Sequence, residues 1–134
     1  MEEKLKLNSK LFLIGATGYS VLEVAWRGFT HWTMAVTGGI CFTAIYYLNE
    51  KYSQKPLWKR CAMGASVITG IEFLVGCIVN LAFHWNVWNY SAMHFNILGQ
   101  VCLLYSVLWF LLSIPLFWLS GKLKESFSRV RQAG

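Results

Sequence analysis

Ala62-Met-Gly-Ala-Ser-Val-Ile-Thr-Gly-Ile-Glu-Phe-Leu-Val-Gly-Cys-Ile-Val-Asn-Leu-Ala-Phe83 is an apolar run broken near its middle by one carboxylate, Glu72. It is about as long as a bilayer crossing requires, roughly 20 residues in a helix. A carboxylate at that depth is costly unless it is paired, hydrated or protonated, which makes an intramembrane acid a functional candidate by default. At helical spacing, Ala65, Thr69, Glu72, Gly76 and Asn80 share one small, polar face. Ile68, Ile71, Phe73, Leu74, Val75, Ile78 and Val79 cover much of the remainder. This stripe is expected to face other helices rather than lipid.

Outward from this run lie three more. The four expected spans are 11–29, 32–48, 62–83 and 96–119, followed by a basic amphipathic tail over 120–134. Hydrophobic residues make up 56% of the 134 and charged residues 13%, so these runs cannot all be folded into one soluble core. The expected fold class is all-α: a polytopic membrane protein, a four-transmembrane-helix bundle in a single domain. Asn8 or Ser9 is placed to cap a first helix beginning near Lys10. In that helix Glu23 precedes Arg27 by four positions, the favourable order for a helical ion pair. In the second, Thr33, Thr37, Gly38, Gly39 and Thr43 supply small residues that let membrane helices approach closely. Pro56 ends the polar connection that follows. In the fourth, Gly99, Cys102, Ser106 and Ser113 fall roughly on one side, and Pro115 is a site for a kink. Leu123, Phe127 and Val130 line one face of the tail among basic residues, the pattern of a helix lying on an anionic membrane surface.

The net charge of +6 is not spread evenly. Eleven of the twelve Lys and Arg residues flank apolar runs, at 4–10, 51–60 and 122–131. That is the arrangement of topology determinants, and it places both termini and the 49–60 loop on the cytoplasmic side. The 27–31 turn and the 84–95 loop then face outward. The expected location is the cytoplasmic membrane, crossed several times. Lys4, Lys6 and Lys10 before an apolar stretch resemble a signal peptide, but cleavage would leave three spans and no secreted domain. No soluble module is present that could read a nucleic-acid groove, so no nucleic-acid partner is expected. Cys41, Cys61, Cys77 and Cys102 form no C-x-x-C pair and read as small core residues.

The charged residues inside or beside the spans are Glu23, Arg27 and Glu72, with Asn80 and Asn96 as polar companions. Two readings stay open: a proton- or cation-linked site between helices, or a buried polar network that fixes packing. His31, His84 and His94 lack metal-site spacing, and neither Ser91 nor Ser106 sits in a nucleophile motif. No metal, cofactor or enzymatic activity is expected. The 84–95 loop is dense in aromatic and amide side chains, and Trp88-Asn-Tyr-Ser91 is a candidate lid, with Asn96 placed to cap the fourth helix. Buried amides need hydrogen-bond partners, and a loop folded back over the bundle would provide them.

Glu23, Arg27-Gly-Phe29, the mid-span Glu72, Trp88-Asn-Tyr-Ser91 and Asn96-x-x-Gly-x-x-Cys-Leu103 together resemble the bacterial family labelled putative ABC-transporter type IV, or CmpB-like. The resemblance covers most of residues 15–115 and is most specific over 88–103. The sequence departs from the family pattern at Asn89, where members usually carry Asp, and in a shorter segment after Phe29. The resemblance implies a permease-like protein without an established substrate. No G-x-x-x-x-G-K-[ST] is present, so an ATPase would be a separate chain.

The expected function is therefore a small, transport-associated integral membrane protein with a glutamate-centred polar site. Four helices make a thin bundle, so a homo-oligomer or a larger membrane complex is expected in the lipid bilayer. The alternatives are a compact proton-coupled exporter of the small multidrug type, or a non-transporting, holin-like or regulatory subunit. The one-sided charge bias argues for a single fixed orientation.

Overall fold

In the computed structural model, residues 2–28 and 30–133 are described, with 130–133 described by their backbone alone. The chain is all-helical apart from one small hairpin: α1 (Glu2–Arg27), α2 (Trp32–Lys51), α3 (Leu57–Gly76), a π-helical turn (Cys77–Ala82), β1 (Asn96–Ile97), β2 (Val101–Cys102) and α4 (Leu103–Ala133). Phe29, the far limit of the first expected span, and the Val130 side chain of the expected tail face lie outside the described residues.

α1 starts earlier than the cap reading of Asn8 or Ser9 implies. Nothing in residues 2–10 breaks a helix, and Glu2 and Glu3 in the first turn complement the helix dipole. Asn8 is instead interior to α1, where its side chain accepts the Tyr47 hydroxyl of α2. The helix stops at Gly28, which adopts the left-handed φ of 84° that glycine tolerates. α2 is capped by His31, whose Nδ1 accepts the Thr33 amide at 3.2 Å. Pro56 precedes α3, where its missing amide hydrogen costs no helical bond.

α1 packs on α2, α3 packs on α4, and α2 also meets α3 and α4. The α1–α2 approach uses the small residues of α2: a Cβ added at Gly38 would run into the Tyr19 side chain. Three apolar clusters line the long axis. One joins Met34, Val79, Val87 and Trp88; a second joins Ile45, Cys61, Ile68 and Phe117; a third joins Leu11, Phe42 and Tyr46.

Burial departs from that of a water-soluble protein. Glu23, Thr33, Thr37, Glu72, Gln100, Ser113 and Ser120 are buried, while Leu13, Leu74, Leu104, Leu111 and Trp118 are exposed. On α3 alone, Glu72 is 4% exposed and Leu74, two residues on, is 64% exposed. An apolar exterior over a partly polar interior is stable where the solvent is hydrocarbon. Consistent with this, the segments Leu57–Ala82 and Leu103–Arg129 are long and apolar enough to cross a membrane. Among the described residues these are the two that pass on composition; α1 and α2 are long enough but more polar, and the four-span expectation is met there in length alone.

Two boundaries differ from those expected. The fourth helix begins at Leu103, not Asn96, because residues 96–102 form a hairpin in which Asn96 pairs with Cys102 and Ile97 with Val101. Its turn passes through Leu98 and Gly99, with φ of 54° and 72°, and the Gln100 amide donates to the Ile97 carbonyl at 3.0 Å. Gly99 and Cys102 therefore do not share a helical face with Ser106 and Ser113. The expected separate tail helix is continuous with α4, since Gly121 alone is too weak a break between good helix formers.

Candidate functional site

The polar stripe of α3 does face inward. Glu72 places both carboxylate oxygens among aromatic donors: the Tyr90 hydroxyl donates to Oε1 at 3.0 Å and Trp109 Nε1 donates to Oε2 at 2.8 Å. Among the described residues no cationic side chain lies within ion-pair distance of Glu72. One turn earlier Thr69 shares a hydrogen bond with Ser106 of α4 at 3.0 Å. Two turns later Asn80, now in the π-helical turn, donates to Gln100 Oε1 at 2.8 Å and accepts the Val87 amide at 2.7 Å. Asn80 thus holds the returning loop against the bundle. The wider winding of a π turn is a recurrent feature of functional segments.

The second carboxylate lies on α1. Glu23 forms the expected ion pair with Arg27 at 3.1 Å, and Tyr19, one turn earlier, donates to its other oxygen at 2.9 Å. Arg27 also donates to the Val87 carbonyl at 3.3 Å, tying the end of α1 to the loop. Glu23 and Glu72 each keep an aromatic donor, but they sit in separate chambers.

A cavity of about 330 Å³ lies between α1 and α4, floored by α2 and α3, with Glu72, Tyr19, Trp88 and Trp109 in its lining. A second, of about 350 Å³, is lined by Glu23, Arg27, Tyr90, Tyr105 and Trp109. The two share Tyr19, Leu22, Trp109 and Leu112 as a common wall. Across that wall Tyr19 and Trp109 meet edge to face, with ring centroids 6.2 Å apart. The two aromatic members of that wall are each hydrogen-bonded to the carboxylate of one chamber, Tyr19 to Glu23 and Trp109 to Glu72.

The loop segment expected to form a lid is split by its geometry. Trp88 is buried, donates Nε1 to the Gln100 carbonyl at 2.9 Å and lines the first cavity. Tyr90 stacks on Tyr105 at 4.7 Å and lines the second. Burial and the neighbouring Glu72 carboxylate push the Tyr90 phenol above its usual range, which keeps it a donor. Asn89 and Ser91 are exposed. The Asn89 Oδ1 accepts the Ser91 amide at 2.9 Å, an acceptor role for which an amide serves as well as a carboxylate.

Asn96 does not cap α4 and lines neither cavity. Its Oδ1 accepts the Gly99 amide at 3.0 Å and its Nδ2 donates to the Met93 carbonyl at 2.8 Å. The Asn-x-x-Gly spacing is thus a turn lock: Gly99 takes the left-handed φ, and a Cβ there would lie 2.9 Å from Asn89 Oδ1. Three residues at the site escaped the sequence reading. Tyr19 carried a signal, being one turn from Glu23, whereas Trp109 and Gln100 lay in a stretch read as apolar span.

Residues 11–132 match the sequence profile of the family described as Putative ABC-transporter type IV. Comparisons with curated proteins and with solved structures returned no match. With nearly the whole chain inside that match, and with its buried carboxylates and apolar exterior, this membrane-associated protein belongs to the putative ABC-transporter type IV family, a description consistent with an association with transport.

Proposed function

We propose that the chain is a permease-like membrane subunit whose working site is the α1–α4 cleft, with Glu72 as its coupling residue. The observation that carries this reading is the pair of chambers with a common wall that includes Tyr19 and Trp109, each chamber holding one carboxylate bonded to one of these two rings. A proton or cation arriving at Glu72 competes with Trp109 for the carboxylate. Charge at one chamber is thereby linked to the position of a side chain that closes the other. Glu23 and Arg27 form the second chamber's charged wall, and Trp88 and Tyr90 close the cleft from the loop side.

In this reading α1–α4 are four spans of a single domain in the cytoplasmic membrane, with both termini inside. The lengths of α1 and α2, 26 and 20 residues, and the placement of Lys and Arg at 4–10, 51–60 and 122–131 support it. The chain is not an enzyme. A thin bundle of this kind functions as a homo-oligomer or within a larger membrane complex, and the family description supports an ATPase subunit as a separate partner.

Proteoliposomes loaded with the pH dye pyranine test the coupling role. With the low-molecular-weight solutes of a bacterial extract outside and an imposed potential, wild-type vesicles are expected to change lumenal pH. Glu72→Gln vesicles, carrying protein that elutes as the wild type does, are not. Wild-type proton movement in Glu72→Gln would overturn the reading.

A further inference from the structure

We infer that the Glu72 chamber is a binding site for a lipophilic cation without hydrogen-bond donors, of the quaternary ammonium or phosphonium class. The inference rests on the α1–α4 cleft being the working site and names the ligand chemistry that site accepts.

The argument starts from what the chamber has left to offer. Its lining is almost wholly apolar, with Ile14, Leu22, Leu112 and Leu116 among the walls. Apart from the Cys41 thiol and the spare lone pairs of Glu72, its polar side-chain atoms are already engaged within the protein. The Tyr19 hydroxyl donates to Glu23, Trp88 Nε1 to the Gln100 carbonyl, Trp109 Nε1 to Glu72 and the Thr37 hydroxyl to the Thr33 carbonyl. A ligand rich in hydroxyls or amides would find few free partners and would lose its hydration for little return. What remains is ring surface from Tyr19, Trp88 and Trp109, and the charge of Glu72.

Tyr90 and Trp109 are neutral donors, so they orient the Glu72 carboxylate without supplying it with a counter-charge. Aromatic faces attract a desolvated cation through the ring quadrupole, which is how quaternary ammonium groups are recognised. A cation whose charge is spread under apolar substituents sheds water cheaply and needs no donor-acceptor pairing. The chamber volume of about 330 Å³ suits a compact ligand of this kind. Because the cleft runs between two helices whose outer faces are apolar, such a ligand reaches it from the bilayer, where lipophilic cations concentrate.

The test uses the full chain in phosphatidylcholine nanodiscs, with tetraphenylphosphonium and its charge-inverted isostere tetraphenylborate titrated separately and empty discs subtracted. Saturable phosphonium binding is expected, with at least tenfold weaker binding of the borate. Glu72→Gln is expected to weaken phosphonium binding at least tenfold, while Glu72→Asp, which keeps the charge, binds within a few-fold of wild type. Leu112→Trp, which fills the shared wall and spares the carboxylate, is expected to abolish binding. Equal affinity for phosphonium and borate, or unchanged binding in Glu72→Gln or in Leu112→Trp, would overturn the assignment. If phosphonium does not bind while proton movement in vesicles still depends on Glu72, the ligand class alone fails. If phosphonium binds as expected while Glu72→Gln leaves proton movement unchanged, the coupling role fails and the binding site stands.

Discussion

Glu72 is held by two neutral donors from different parts of the chain, and this makes its environment adjustable. Trp109→Phe removes one donor while keeping the ring, and such a loss costs about 1–3 kcal/mol for a bond to a charged acceptor. A lower melting temperature in detergent is the expected readout. In a cycle with Glu72→Ala, the double variant should lose less than the sum of the singles, since both remove the same bond. Additive losses would show that the 2.8 Å contact carries no energy of its own. Asn89 offers a contrasting case. Asn89→Asp keeps the acceptor for the Ser91 amide and should leave thermal stability unchanged within error, whereas Asn89→Ala should lower it. A large stabilisation by Asn89→Asp would mean that charge at this position has a role the turn geometry does not supply.

The element that departs most from a simple succession of spans is the segment between the π-helical turn and α4. It is held by side chains rather than by helical bonds: Asn80 to Val87 and Gln100, Trp88 to Gln100, and Asn96 to Gly99. The backbone amide of Tyr90 adds a bond to the Gly99 carbonyl at 2.7 Å, placing the Tyr90 side chain over Glu72. Gly99→Ala forces an alanine into a left-handed conformation and a Cβ against Asn89, a strain on the order of 1–3 kcal/mol. Limited proteolysis should then cut within 84–102 at least several-fold faster than in wild type. Unchanged cleavage would mean that this turn does not limit the order of the loop. The hairpin was hard to read in the sequence because Ile97, Leu98, Val101 and Cys102 merge with the apolar run of α4. Asn96 and Gly99 were visible, but at spacing three they fit a helix face as well as a turn.

For the whole molecule, the apolar exterior and the charge clusters make one topological prediction. The proposed orientation puts Lys55 on the cytoplasmic side, so a cysteine placed there by Lys55→Cys in a background lacking the four native cysteines should be labelled by an impermeant maleimide only after the cells are opened. Labelling of intact cells would reverse the orientation. The α1–α4 cleft is walled by helices that meet chiefly through α2 and through the apolar contacts of Leu116, Leu119, Leu123 and Phe127 near Leu11. The molecule is therefore built as two helix pairs, α1 with α2 and α3 with α4, with α2 in contact with both helices of the second pair.

The sequence by itself determined the apolar composition of this protein, the largely helical character of its runs and which face of α3 is polar. Those are local properties, set by composition and by a 3.6-residue period. It also placed the Glu23–Arg27 pair, because four residues along a helix are neighbours wherever the helix goes. Only the tertiary structure decided what Glu72 touches. Its partners Tyr90 and Trp109 lie 18 and 37 residues away, and no periodicity relates faces of different elements. Their meeting depends on how α3 and α4 pack and on a hairpin that returns the chain over the bundle, and so the site belongs to the packing.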